Sequence, residues 1–270
     1  MTVMTRSHVE SKATALCVLH FDARQRSLHP AHGMCWAFSH CATPVSWENL
    51  LMLETMEFTT GDTAQACILW LHGLGADGSD FVPVAQALEL PCAVRHVFPH
   101  APVMPITLNG GYRMRAWYDV YSLDIAGQQD VSGIRRAQAM VEALIDEQLR
   151  RGCPAARRMA IAGFSQGGAI ALQTALRYRD RLAGVLALST YLPLAHTVAQ
   201  ERSAANLGMP VFMAHGTEDG VIPLHAAVSA RDTLSALGYT VEWHEYVMAH
   251  TVCSEEIDDM ARFLARILAP

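Results

Sequence analysis

"MAIAGFSQGGAIAL" (residues 159–172) gathers three glycines around a single serine. Gly163 and Gly167 bracket Phe164-Ser165-Gln166, and Gly168 follows. The residues before Ser165 read as a strand and those after it as a helix. One reading is a nucleophile on a tight strand-to-helix turn. Such a turn strains the serine backbone and exposes its hydroxyl, and side chains two positions away on either side would crowd it. The other reading is a small-residue helix start, with Ser165 as a cap and nothing more. A Gly-x-Ser-x-Gly pentamer arises by chance often enough that the rest of the chain must decide.

On both sides of this junction the pattern is regular. "CILWLH" (67–72), "AVRHVFP" (93–99), "RMAIAGF" (158–164), "GVLALS" (184–189), "MPVFMAHG" (209–216) and "YTVEWHEY" (239–246) read as strands. Four are near-continuous apolar runs, as expected of strands buried on both faces of a parallel sheet. Helical periodicity covers 80–88, 131–150, 166–178, 223–237 and 254–268. Strand and helix alternate, which predicts an α/β architecture with helices on both faces of a mostly parallel central sheet. "LETMEFTTG" (53–61) fits an antiparallel edge strand leading in. The catalytic domain is therefore expected over 54–270. Residues 1–53 keep no sustained period and are expected to form a poorly ordered extension, with Met52 or Met56 a candidate first residue. His29, His32, Cys35, His40 and Cys41 invite a zinc reading, but their spacing lacks paired knuckles, and no metal is expected.

The 270 residues are 51% hydrophobic and 17% charged, with a formal net charge of −6. That balance offers nucleic acid or an anionic membrane no broad attraction. The pairs Arg135-Arg136, Arg150-Arg151 and Arg157-Arg158 are isolated and read as solvated surface. Seven scattered cysteines without a C-x-x-C do not describe a disulfide-stapled secreted domain. "ATALCVL" (13–19) is too short for a signal peptide, and no apolar run reaches bilayer-spanning length. A cytoplasmic chain without stable membrane insertion is the expectation.

Sites in an open α/β sheet lie beyond the carboxyl ends of the strands, where Ser165 falls. A serine hydroxyl needs a base, and the base needs an orienting group. On this architecture the expected order is serine, acid, histidine. Asp219 follows the 209–216 strand in "HGTEDGVIP", ahead of its neighbour Glu218 and of Asp232 as the candidate acid. His250 follows the last strand in "EYVMAHTVCSEE" and is the candidate base. His72, His215 and His244 are read as structural. Negative charge on an attacked carbonyl needs preorganised donors. The Gln166 backbone N–H supplies one, and the glycine-rich "LHGLGADGSD" (71–80) supplies a second, best placed at the Leu74 N–H. Asp77 and Asp80 are expected to brace that loop by hydrogen bonds. The loop matches neither the P-loop nor the dinucleotide turn.

With these residues placed, the chain resembles the phospholipase/carboxylesterase family of α/β-hydrolases, which contains carboxylesterases and acyl-protein thioesterases. The likeness runs from about Glu57 to Ile267 through six ordered blocks: "WLHGLGADGSDF", "PHAPVMPITLNGGYRMRAWYD", "GFSQGGAIAL", "LSTYLP", "HGTEDGVIP" and "YVMAHTVCSEE". It implies an α/β-hydrolase fold, Ser165 as nucleophile, Asp219 as acid, His250 as base, and Leu74 and Gln166 as oxyanion donors. It also implies hydrolysis of short esters or fatty-acyl thioesters without a cofactor, and in bacterial members often a homodimer. Thr190 and Ala249 stand where glycine is frequent in the family. They are expected to narrow the acyl pocket without touching the triad.

The apolar segment 101–121 reads as a loop that could line an acyl groove, with Trp117 and Leu192 the best pocket candidates. The main functional reading is a serine carboxylesterase for short- to medium-chain esters. Acyl-protein thioesterase or lysophospholipase is the alternative, and a non-catalytic binding scaffold is the rival from another class. The partner implied is a small-molecule ester or acyl thioester.

Overall fold

The computed structural model describes residues 52–122 and 127–269. The expectations for residues 1–51 lie outside that range. The strands are β1 (Thr55–Thr59), β2 (Ala66–Leu71), β3 (Val94–Pro99), β4 (Val103–Ile106), β5 (Tyr112–Arg115), β6 (Met159–Phe164), β7 (Gly184–Leu188), β8 (Pro210–Gly216) and β9 (Thr240–Tyr246). The α-helices are α1 (Val82–Ala87), α2 (Val131–Arg150), α3 (Gln166–Ala175), α4 (Val198–Glu201), α5 (Leu224–Ala236) and α6 (Ser254–Ile267). Seven strands form one sheet in the order β1-β3-β2-β6-β7-β8-β9. Within it β1 runs antiparallel to β3, and every other pairing is parallel. This is an α/β-hydrolase-like fold, with a mixed, mostly parallel sheet flanked by helices.

Side chains alternate across each strand, so a strand covered on both faces must be apolar at every position. All six residues of β2 are buried. Cys67, Leu69 and Leu71 meet Ile134, Val141 and Ile145 of α2 in one core layer. Ile68 and Trp70 join Phe98, Phe212 and Phe263 in the other. Burying one such aliphatic or aromatic side chain is worth roughly 1.5–3 kcal/mol, so the two layers dominate the stability of the sheet. Helix α2 keeps the expected bounds. Asp130 caps it by accepting from the Gly133 N–H (2.9 Å), and its buried residues recur at helical spacing. Its C-cap, Arg151, is not merely solvated: it makes a two-pronged ion pair with Glu57 of β1 (2.5 and 2.9 Å).

Two segments depart from expectation. The 80–88 helix begins as a 3-10 turn (Gly78–Phe81) and becomes α-helical only at Val82, where Pro83 is tolerated in the first turn. The 101–121 segment is no simple loop, because β4 and β5 pair antiparallel within it, Val103 opposite Arg115 and Ile106 opposite Tyr112. Pro105 sits in β4 without harm because the ladder has only two strands, both edges.

The order of strands places the site. The chain steps from β2 outward to β3, then crosses to β6 on the other side of β2. That reversal opens a crevice at the carboxyl ends of β2 and β6. Leu71 lies opposite Gly163 in the β2–β6 register, so the loop after β2 emerges beside Phe164 and Ser165.

Candidate active site

Strand β6 ends at Phe164 and α3 begins at Gln166, leaving Ser165 alone at the junction. Its backbone is at φ 54°, ψ −120°. Holding a non-glycine residue there costs on the order of 1–3 kcal/mol, and such strain persists only where the surroundings enforce it. The glycines enforce it by absence. A Cβ on Gly163 would overlap the Gly167 carbonyl, and one on Gly167 would overlap the Leu71 carbonyl. The turn is possible because α3 presses its first residues against β6 and β2 with nothing between. Ser165 makes no side-chain cap bond to α3, so the bland helix-cap reading finds no support in its geometry.

Asp219 and His250 come from two further strand ends. The His250 Nδ1–H donates to Asp219 Oδ2 at 2.7 Å, which leaves Nε2 free to accept a proton. The other Asp219 oxygen accepts from the Val221 N–H (2.8 Å) and the Ile222 N–H (2.9 Å). Burial would raise the Asp219 carboxyl, but the His250 bond and these backbone donors outweigh it and hold the group below its ordinary value. The loops meet closely because residue 216 is glycine: a Cβ there would overlap the Met248 and Ala249 carbonyls. His250 packs on Phe164, with ring centroids 4.6 Å apart. It therefore sits beside the residue preceding Ser165. The Ser165 hydroxyl has no hydrogen-bond partner among the described residues, a common state for such a site without substrate.

Histidines read as structural behave as such. His215 is fully buried below Asp219, donates from Nε2 to the Ile222 carbonyl (2.8 Å), and is held below its ordinary pKa chiefly by burial. The Ala101 N–H donates to His72 Nε2 (3.0 Å), so the proton sits on Nδ1 and is given to the Gly73 carbonyl (2.7 Å). Burial pushes His72 down to about 4, and it stays neutral as a brace for the loop after β2. His244 stacks between Phe212 and Tyr246 on a face of the sheet.

The candidate oxyanion donors come from the start of α3 and from the loop after β2, whose Gly73 approaches the Ser165 side chain. Gln166 opens α3, where a helix has no internal acceptor for its N–H. The Leu74 N–H likewise has no acceptor among the described residues. The loop carrying Leu74 is pinned on either side: the Gly75 N–H donates to the Arg115 carbonyl (2.9 Å), and the Gly78 N–H to His100 Nδ1 (3.1 Å). Asp77 caps the following turn through the Ser79 N–H (2.7 Å), as expected, whereas Asp80 makes no such bond.

Trp117 and Thr190 make buried hydrogen bonds that the sequence reading did not include. Trp117 is buried beside His72 behind the loop after β2, and it is not in the lining of the cavity that Leu192 borders. Its indole N–H donates to the His72 carbonyl and its backbone N–H to Gln166 Oε1, both at 2.8 Å. Gln166 Nε2 then donates to the Tyr118 carbonyl (2.8 Å), so one buried amide locks the loop after β5 onto the elbow. The indole is large and apolar but has a polar handle, and satisfying that handle drew it inward. Thr190 is not in the lining of the cavity that Leu192 borders. It is buried, and its hydroxyl donates to the Ser165 carbonyl at 2.6 Å, so it does touch the candidate triad.

Leu192 lines a cavity of about 650 Å³, with Leu194, Pro223 and Ala226 among its apolar walls and His196 and His225 among its polar ones. Ser165 and His250 are not in this lining. Tyr191, on its wall, hydrogen-bonds the buried Tyr118 hydroxyl at 2.6 Å, a contact that no sequence pattern announces. Among the described residues no helix is long and apolar enough to cross a membrane.

Comparison with known proteins agrees with this geometry. Acyl-protein thioesterase 1 of Neurospora crassa is 36% identical over 217 residues, covering 75% of this chain and 87% of that protein. The crystal structure of Arabidopsis thaliana SOBER1 superposes with a TM-score of 0.71 at 30% identity, covering 76% of this chain and all of that one. Zea mays acyl-protein thioesterase 2 gives 0.71 at 29% identity, with 80% and 99% covered. A family model described as phospholipase/carboxylesterase matches residues 58–268, and the chain belongs to that family of α/β-hydrolase-fold esterases and thioesterases.

Proposed function

We propose that the chain hydrolyses acyl thioesters, and carboxylic esters with them, through an acyl-enzyme on Ser165. The observation that carries the hydrolase reading is the 2.7 Å bond from His250 Nδ1 to Asp219 beside a serine at positive φ. In this reading His250 Nε2 takes the Ser165 proton as Oγ attacks the acyl carbonyl. The Leu74 and Gln166 N–H groups receive the developing oxyanion. His250 then protonates the departing sulfur or oxygen as its bond to the acyl carbon breaks. Water, deprotonated by the same imidazole, releases the carboxylic acid.

The thioester preference differs from the short-ester emphasis drawn from sequence. Its support is that the relatives at 34–36% identity bear the name acyl-protein thioesterase 1. The cavity beside Leu192, about 650 Å³, falls within the roughly 300–1,000 Å³ typical of small-molecule sites. A groove that accepts each added methylene gains about 0.8 kcal/mol, nearly fourfold in kcat/KM when realised in the transition state. The test is kcat/KM for p-nitrophenyl esters of two to sixteen carbons beside palmitoyl thioesters. A rise with length, matched by thioester turnover, is expected. A maximum at a few carbons with no thioester turnover restores the carboxylesterase reading. Ser165→Ala is expected to lose at least about a thousandfold in kcat while keeping its fold. Retained activity in that variant would end the assignment of Ser165 as nucleophile, whereas no fluorophosphonate adduct on wild-type Ser165 would favour the binding scaffold.

A further inference from the structure

Resting on the roles proposed for Ser165 and Gln166, we infer that Thr190 is a positioning residue for the oxyanion donor at Gln166. A peptide unit is planar and trans, so the Ser165 carbonyl and the Gln166 N–H point in opposite directions within one rigid plane. Whatever fixes the carbonyl therefore aims the N–H. Two donors hold that carbonyl: the Thr190 hydroxyl at 2.6 Å and the Ala169 N–H, from the first turn of α3, at 3.1 Å. The shorter bond belongs to the side chain. It acts on a residue at φ 54°, whose backbone would relax if released.

The position is built for this contact. Ser189, just before Thr190, is itself at φ 45°, and its N–H is tied to the Ala214 carbonyl (2.8 Å). That turn carries Thr190 beneath the elbow instead of along the strand. The Thr190 Cβ and Cγ2 lie 2.8 Å from where a Cβ on residue 168 would stand, so the methyl fills the space that Gly168 leaves. A β-branched side chain has few rotamers. With its methyl lodged against Gly168, the hydroxyl is directed to the Ser165 carbonyl. Thr190 is 1% exposed, and no water replaces the bond if the hydroxyl is removed without changing shape. Donation to the carbonyl also polarises the N–H at the other end of the same peptide, making it a stronger donor to an oxyanion.

Thr190→Val keeps the shape and deletes the donor, whereas Thr190→Ser keeps the donor and deletes the methyl. Rates are taken per active site, titrated with a fluorophosphonate, so that a folding defect does not pass for a slow enzyme. Thr190→Val is expected to lower kcat about tenfold with KM within about twofold, a fraction of the 10²–10³ lost with a whole oxyanion donor. Affinity for an alkyl trifluoromethyl ketone, which forms an oxyanion adduct, should fall in parallel. Thr190→Ser should stay within about threefold of wild type in both. A wild-type kcat per titrated site in Thr190→Val, or an equal loss in Thr190→Ser, overturns the inference. Failure of the wild type to label at Ser165 would instead overturn the hydrolase reading and this inference with it.

Discussion

At the scale of single residues, much of the site was legible because chemistry constrained it twice. Ser165, Asp219 and His250 each had the right side chain and each stood at the end of a readable strand. Order along the chain then separated them from His72, and the tight turn at Gly216 from His215, which also end strands. What could not be read were bonds that depend on local backbone turns. Nothing in "LSTYLP" announces that Ser189 takes a positive φ, so the Thr190 hydroxyl could not be placed under Ser165. The Trp117 indole bond to the His72 carbonyl was illegible for a related reason, because aromatic residues suit pockets and cores alike. The acid at 219 permits a direct check. Asp219→Asn should lower kcat about 10³–10⁴-fold, because an amide can donate to Nδ1 and favour the wrong imidazole tautomer. The folded-state pKa of Asp219 is depressed, so its stabilising contribution exists above the ordinary carboxylate value of about 3.9 and fades as pH falls through the lower folded value. The variant's thermal deficit should therefore shrink in acid. A deficit independent of pH would show that the carboxylate charge is not what stabilises this loop.

Elements were legible where their burial was uniform. Strands β2, β6 and β7 are buried at every residue, and a continuous apolar run announces that condition. The β4–β5 pair was not, because its burial alternates weakly and Pro105 interrupts the pattern. Helix α3 shows how closely one element can depend on another. All ten of its residues are buried, and its small first turn lies directly on the end of β2. Gly167→Ala tests that dependence. The new methyl would overlap the Leu71 and His72 carbonyls, which are backbone atoms and cannot rotate away. Helix and strand must separate, at a cost above the roughly 1–3 kcal/mol usual for overpacking. Chemical denaturation should show a large fall in midpoint, with loss of fluorophosphonate labelling at Ser165. A variant with wild-type midpoint and labelling would mean that α3 sits less tightly on the sheet than described.

At the scale of the whole molecule, a buried carboxyl with no part in the proposed chemistry sets a pH dependence of stability. Glu256 lies in the first turn of α6, on the side of that helix whose Met260, Phe263 and Leu264 pack under the sheet. It is wholly inaccessible, and among the described residues its carboxyl oxygens meet no donor in good hydrogen-bond geometry, the Cys253 N–H giving only a weak contact. Burial pushes its pKa up to about 8, against a partial opposing pull from the Cys253 N–H, with Asp259 adding a further push. Unfolded, the same carboxyl titrates near about 4.3. Between those values the folded chain keeps a proton that the unfolded chain has released. Stability must therefore fall as pH rises across this window and level off once the folded group also ionises. Glu256→Gln has nearly the same shape and no charge to bury, so it should escape the decline. Its melting temperature is expected to match wild type near pH 5 and to exceed it by several degrees near pH 8. At this chain length each kcal/mol moves the melting temperature by about 2–4 °C. If the difference between variant and wild type stays constant from pH 5 to 8, Glu256 is ionised throughout, and α6 holds its charge by a partner that the packing described here does not supply.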